Sequence, residues 1–199
     1  AMTDMMHDIQ DPHSLFKQWF DQACDDERIK EPTAMCLATA QDHQPSARMV
    51  LLKAHDAKGF VFYTNLESRK SQELIANAQA ALCFYWAALD RQVRIVGTVE
   101  EVATSEADAY FASRVRGKQI GAWASHQSRP MEDADGLQRR VHQFEEKFEG
   151  EKIPRPPHWS GWRVVPQEME FWEQKEYRLH DRVRFMRNNG QWARERLYP

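Results

Sequence analysis

Disulfide architecture is the first thing this sequence lacks. Its three cysteines, Cys24, Cys36 and Cys83, are odd in number, widely spaced and set among apolar residues, which reads as buried free thiols. Its eight histidines show neither an HExxH pair nor any Cys/His ligand spacing, so no metal site is predicted. GxGxxG, GxxxxGKS/T and GxSxG are all missing, which removes the sequence support for a dinucleotide fold, a P-loop or a serine hydrolase. No apolar run approaches the roughly 18 residues that cross a bilayer, and no charged-then-apolar leader opens the chain. No membrane association is expected, and the cytoplasm is the expected compartment. Neither sign of charge dominates: 27 basic and 30 acidic residues leave a net charge of −3, so no nucleic-acid partner is expected. Repeats and low-complexity tracts are absent as well.

With 42% hydrophobic residues, the 199-residue chain can bury a sizeable core. A flexible segment over residues 1–11 followed by one domain over 12–199 is the expected organisation. Residues 12–27 place Leu15, Phe16, Trp19, Phe20 and Ala23 on one face at helical spacing, with Ser14 available as a cap. β-rich runs follow at 35–40, 47–54, 59–64, 80–86 and 92–102, interrupted by a short helix over 68–77. Two more helices are predicted at 105–114, with Ser105 and Asp108 as a capping box, and at about 133–148. Strands return at 159–165, 169–173 and 182–187, and Asn189-Gly190 marks a hairpin into 192–197. Strands this close together predict a mainly β fold with peripheral helices (α+β), built as an antiparallel barrel or sandwich.

The chemistry concentrates in a few cationic clusters. Arg48-Met49-Val50-Leu51-Leu52-Lys53 brackets an apolar run with two cations, which point to opposite faces if the strand is regular. They serve different parts of an extended ligand, or are solvated strand ends. Ser68-Arg69-Lys70 sets two cations at a helix N-terminus, where positive charge is unfavourable until an anion arrives. Tyr110 and Arg114 share a helix face at i and i+4, as a second phosphate grip or as ordinary packing. Arg178, His180 and Arg182 fall on one side of an extended segment beside Phe171-Trp172, a like-charge cluster that a bound anion would relieve.

Together these segments resemble the pyridoxamine 5'-phosphate oxidase family. RMVLLK, FYTN, SRK, RQVRIVG, YFASR, QIGAWAS, QS, FW and EYRLHDR occur in the family's order, from about Pro12 to Pro199. The resemblance implies an antiparallel FMN-binding split β-barrel and a homodimer with FMN sites at the subunit interface. It implies oxidation of pyridoxamine or pyridoxine 5'-phosphate to pyridoxal 5'-phosphate, with O2 as acceptor. By resemblance, Arg48, Met49, Val50, Leu51, Leu52, Lys53, Tyr63, Thr64, Arg69, Lys70, Gln92, Gln127, Ser128, Trp172 and Arg182 bind FMN. Arg48, Arg69 and Lys70 would be its phosphate contacts. Lys53, Tyr110, Arg114 and Lys118 bind the substrate, with Arg178 and His180 over its ring as the catalytic pair. The chain departs from the family's pattern in its acidic residues 2–11, in Lys118 where a serine is usual and in Val115 where a proline is frequent. A related FMN oxidase acting on phenazine precursors and a non-catalytic flavin or pyridoxal-phosphate binder are the alternatives.

Overall fold

The computed structural model describes residues 5–199. Nine strands form a single antiparallel sheet: β1 (Ala34–Gln41), β2 (Gln44–Leu51), β3 (Ala54–Asp56), β4 (Gly59–Asn65), β5 (Gln79–Trp86), β6 (Arg91–Glu101), β7 (Trp159–Glu173), β8 (Asp181–Asn188) and β9 (Gln191–Leu197). Its main path is β2-β1-β5-β6-β7-β4-β3, with β8 and β9 branching from β7. Among the described residues, six α-helices accompany it: α1 (Met5–Asp8), α2 (Pro12–Asp25), α3 (Arg69–Ala76), α4 (Thr104–Ser113), α5 (Arg116–Ala124) and α6 (Gly136–Lys147). No helix among the described residues is long and apolar enough to cross a membrane.

The two strands predicted at 159–165 and 169–173 are one 15-residue strand, β7. One edge of β7 is shared: Trp159–Val164 pair with β4, and Glu168–Glu173 pair with β8. The sheet forks around Val165-Pro166-Gln167, where proline cannot donate a ladder hydrogen bond. The opposite edge carries a register shift between Val96 and Gly97. A Cβ on Gly97 would lie 2.0 Å from the Val165 carbonyl oxygen, so only glycine permits this approach. An unclosed sheet forked in this way is the split barrel that the resemblance implies.

Strand alternation divides the residues. Met35, Leu37, Leu82, Phe84, Val93, Ile95, Met169, Phe171, Val183 and Phe185 point inward and are buried. α2 plugs this interior with Leu15, Phe16, Trp19 and Ala23, and the Phe16 ring lies 4.9 Å from Phe60 and 5.2 Å from Phe84. Its cap is Asp11, which accepts from the His13 N–H and the Ser14 hydroxyl; the hydroxyl of Ser14 supports the cap rather than providing it. Of the segment 1–11 predicted as flexible, residues 1–4 lie outside the described residues; within the rest, Met6 is buried in this core and Arg194 donates to the Ile9 carbonyl. A smaller core of Phe111, Ile120, Phe148, Ile153 and Trp159 holds α4, α5 and α6 together.

Two local expectations fail. Ser105 and Asp108 form no capping box, because α4 starts one residue earlier with Ala103 at its cap, and Asp108 accepts from Arg155 instead. α5 was not anticipated at all. At the last hairpin, Asn189 and Gly190 both have positive φ, as a two-residue turn between twisted strands requires.

Candidate active site

A cavity of about 440 Å³ lies where β2, β4, α4 and α5 meet. Its lining brings together Met49, Val50, Leu51, Lys53, Tyr63, Thr64, Lys70, Tyr110, Arg114, Lys118 and Gln127 from the predicted set. Asn65, Ser125 and Trp159 complete it without having been predicted, and α5 delivers Lys118, Gly121 and Ala122. Four cations line this cavity, and no carboxylate among the described residues does.

Lys70 is its most constrained cation. α3 begins after Ser68, whose hydroxyl oxygen accepts the Ser71 N–H and caps the helix. Lys70 in the first turn is thereby carried inward and is only 8% exposed. Its ammonium donates to Thr64 Oγ1 at 3.1 Å and Gln127 Oε1 at 3.0 Å, and no carboxylate among the described residues pairs with it. Burial, with the Arg48 guanidinium nearby, pulls its pKa down to about 8. Arg114, over the Trp159 ring at 4.8 Å, is also lowered by burial.

One wall is aromatic. Tyr63 stacks on Tyr110 with centroids 4.1 Å apart and on Trp159 at 5.4 Å. Burial, reinforced by Glu106 and Tyr110, pushes the Tyr63 phenol up to about 12 and keeps it neutral. Gly161, opposite Tyr63 on β7, makes room: a Cβ there would sit 2.7 Å from the Tyr63 ring.

Arg48 and Arg69, expected as phosphate contacts together with Lys70, do not line this cavity and face Glu73 instead. β2 ends at Leu51, Leu52 turns into the core, and Lys53 swings to the cavity while Arg48 stays on the ladder. Arg48 donates to Thr39 Oγ1 at 2.6 Å and Ser46 Oγ at 2.7 Å, with its guanidinium 3.8 Å from Glu73. Arg69 reaches back along α3 to Glu73 at 2.9 Å. Burial raises the pKa of Glu73, but hydrogen bonds from Ser46, Thr39 and Arg69 outweigh it and hold the group at about 2. This polar knot carried no recognisable sequence signal, since its members lie up to 34 residues apart.

A second group forms on the other branch of the fork. Gln92, Trp172 and Arg182 are register partners across β6, β7 and β8. Trp172, Arg178 and His180 line a separate cavity of about 480 Å³. Ser128, with φ 71°, borders yet another cavity beside α6. Arg178, His180 and Arg182 do not share one extended face: residues 176–178 form a tight turn with Tyr177 and Arg178 in the left-handed region. Nor is Arg182 unpaired. Glu170 accepts from both Arg182 and Arg94, which removes the like-charge problem without a bound anion. His180 packs on Trp172 with centroids 4.8 Å apart, and its Nδ1 accepts the Lys175 N–H at 3.1 Å. The neutral ring therefore carries its proton on Nε2.

The profile of the family described as pyridoxamine 5'-phosphate oxidase matches residues 20–148, and that of the pyridoxine 5'-phosphate oxidase C-terminal dimerisation region matches residues 159–199. A pyridoxine/pyridoxamine 5'-phosphate oxidase of Myxococcus xanthus is 52% identical, covering 98% of this chain and 96% of the relative. The crystal structure of PhzG from Burkholderia lata, in complex with tetrahydrophenazine-1-carboxylic acid, superposes with a TM-score of 0.92 at 32% identity, covering 99% of this chain and 96% of that one. A pyridoxamine 5'-phosphate oxidase-related, FMN-binding protein of Nostoc punctiforme shares the fold, with a TM-score of 0.76 at 16% identity over 96% of this chain and all of that one.

Proposed function

The chain belongs to the pyridoxamine 5'-phosphate oxidase family, and from that premise we propose that it is the FMN-dependent oxidase making pyridoxal 5'-phosphate from pyridoxamine and pyridoxine 5'-phosphates. The observation that carries this reading is the cavity lined by Lys53, Lys70, Arg114 and Lys118 with no carboxylate among the described residues. A buried ammonium with only neutral partners is a poor resting state and a good anion receptor. Two phosphorylated ligands need such a lining.

The residues present fit FMN. Lys70, Thr64 and Gln127 offer a preformed polar cluster for a phosphate, and Met49, Val50 and Leu51 give an apolar floor for a flat ring. Arg48 and Arg69 would reach a phosphate by leaving Glu73, so the Glu73 knot holds them ready nearby. When bound, FMN supplies the two-electron acceptor for C4' of the substrate and the route of those electrons to O2, giving hydrogen peroxide. The protein's part is to bind, orient and exclude water. Lys53, Tyr110, Arg114 and Lys118 would hold the substrate phosphate; a lysine at 118 grips as a point charge where a serine would hydrogen-bond. His180, with Nδ1 committed to Lys175, would present an Nε2–H donor to the substrate ring, and Arg178 would fix that ring's position.

The protein acts as a homodimer, the assembly for which its C-terminal region is described. We place the complete site across two chains. Met49, Leu51, Tyr85 and Val96 form an exposed apolar face on the outer side of the sheet, running from the cavity rim toward Gln92 and Trp172. Covering that face with a second copy would set one chain's cavity against its partner's Trp172, Arg178 and His180 group. A cytoplasmic location belongs to the same proposal, and fractionation tests it.

Aerobic incubation of the flavin-loaded protein with pyridoxamine 5'-phosphate should yield aldehyde absorbance and peroxide in equal amounts. Flavin bound with no product would overturn the oxidase reading in favour of a binding protein. Turnover of tetrahydrophenazine-1-carboxylic acid alone would favour the phenazine-type reading.

A further inference from the structure

The loop between β7 and β8 contains a side chain that nothing within the chain accounts for. Tyr177 and Arg178 are consecutive residues in the left-handed region, with φ of 59° and 61°, which disfavours any residue bearing a Cβ. Tyr177 is also 87% exposed. The bend itself is firmly determined, by Lys175 N–H to His180 Nδ1 at 3.1 Å and by Leu179 N–H to the Glu176 carbonyl at 3.1 Å. Glycine would make this bend without strain, so a purely structural loop has no use for tyrosine there. Strain held in place by its surroundings at the lip of a cavity is the mark of a residue kept for what it touches.

That cavity, about 480 Å³, is lined by Tyr177 together with Trp172, Arg178 and His180. We propose that Tyr177 is a substrate-contacting residue whose ring, beside the Arg178 guanidinium, covers the planar heteroaromatic ring of the phosphorylated vitamer and sets how tightly it is held. The inference rests on the oxidase reading above. An electron-rich phenol suits an electron-poor pyridine, because offset stacking favours such a pair. The contact would serve affinity rather than the bond-breaking step, since Arg178 and His180 carry the groups nearest the reacting carbon.

The test uses the flavin-loaded dimer and the variants Tyr177→Phe, Tyr177→Gly and Tyr177→Asn, the last two tolerating the left-handed conformation. KM and kcat are measured with pyridoxamine 5'-phosphate, product affinity by quenching of tryptophan fluorescence with pyridoxal 5'-phosphate, and assembly by sedimentation. Tyr177→Gly and Tyr177→Asn should raise KM and weaken product binding by roughly three- to tenfold, with kcat within about twofold and the thermal midpoint unchanged or higher. Tyr177→Phe should stay near wild type. Glycine and asparagine variants that bind and turn over like wild type would overturn the proposal, as would a loss accompanied by dimer dissociation or flavin release, which would make the ring an interface residue. If the wild-type protein binds pyridoxal 5'-phosphate yet oxidises neither vitamer, the oxidase reading fails while the binding comparison still decides the role of Tyr177.

Discussion

Replacing Lys70 by methionine should make the flavin-free protein more stable and its flavin weaker, two effects of opposite sign from one buried charge. The ammonium's pKa falls from 10.5 to about 8, and at about 1.4 kcal/mol per unit its charged form costs about 3 kcal/mol in the folded state. A depressed lysine pKa means that the unfolded chain binds more protons between pH 8 and 10.5. The cost is therefore fully present below pH 8 and is relieved as pH rises through that window. Methionine removes the charge and also the hydrogen bonds to Thr64 and Gln127, about 1 kcal/mol each. The net gain is about 1 kcal/mol, or roughly 2–4 °C in thermal midpoint for a chain of this size. Flavin binding loses a charge-assisted hydrogen bond of about 1.5–3 kcal/mol, roughly a ten- to hundredfold rise in Kd. Differential scanning fluorimetry of the apoprotein at pH 7 and flavin fluorescence titration measure the two sides. In the wild type, flavin affinity should fall as pH rises through about 8, because the phosphate needs the protonated lysine. A Lys70→Met protein that is less stable, with unchanged flavin affinity, would refute the assignment of Lys70 as an anion receptor.

Arg178→Ala should lower turnover by roughly a hundredfold while the flavin stays bound, since it removes orientation and not the cofactor's grip; unchanged kcat would rule out the role. Gly161→Ala sets a Cβ 2.7 Å from the Tyr63 ring, so the Tyr63–Tyr110 stack must shift, at about 1–3 kcal/mol of stability and with a higher KM. Thermal melts and initial rates read both. Glu73→Gln should flatten the acid limb of the stability curve. A carboxylate held at about 2 against 4.5 unfolded contributes stability above pH 4.5 that is lost as pH falls toward 2, so wild type should lose its midpoint over that range more steeply than the variant. Parallel slopes would mean that Glu73 does not hold the arginines.

Period-2 alternation made most of the sheet legible in the sequence, and the Asn189-Gly190 turn fixed its last hairpin, because both signals are local. The fork in β7 was not legible. Pro166 reads locally as a strand break, whereas pairing with β6 runs past it on both sides, where Gly97 permits the close approach to Val165. α5 was missed because Gly117 and Gly121 weaken its helical signal, whereas its burial of Ile120 against Phe148 and Trp159 is a tertiary fact. At the site, the grouping of Lys53, Tyr110 and Arg114 on one cavity followed from the family resemblance, not from spacing. The diversion of Arg48 and Arg69 to Glu73 did not, since a hydrogen-bonded knot among β1, β2 and α3 has no linear spacing. Arg48 and Lys53 are separated by the end of β2 at Leu51, not by the strand parity from which their separation was expected.

The forked sheet also has a genetic consequence. Lys70 and Arg178 stand on different branches of one chain, and in the two-chain site each would serve a different active centre. Alleles carrying Lys70→Met and Arg178→Ala, each defective alone, should then complement when co-expressed. A mixed dimer gathers both lesions into one centre and leaves the other wild type, so random assortment would restore about a quarter of the wild-type activity.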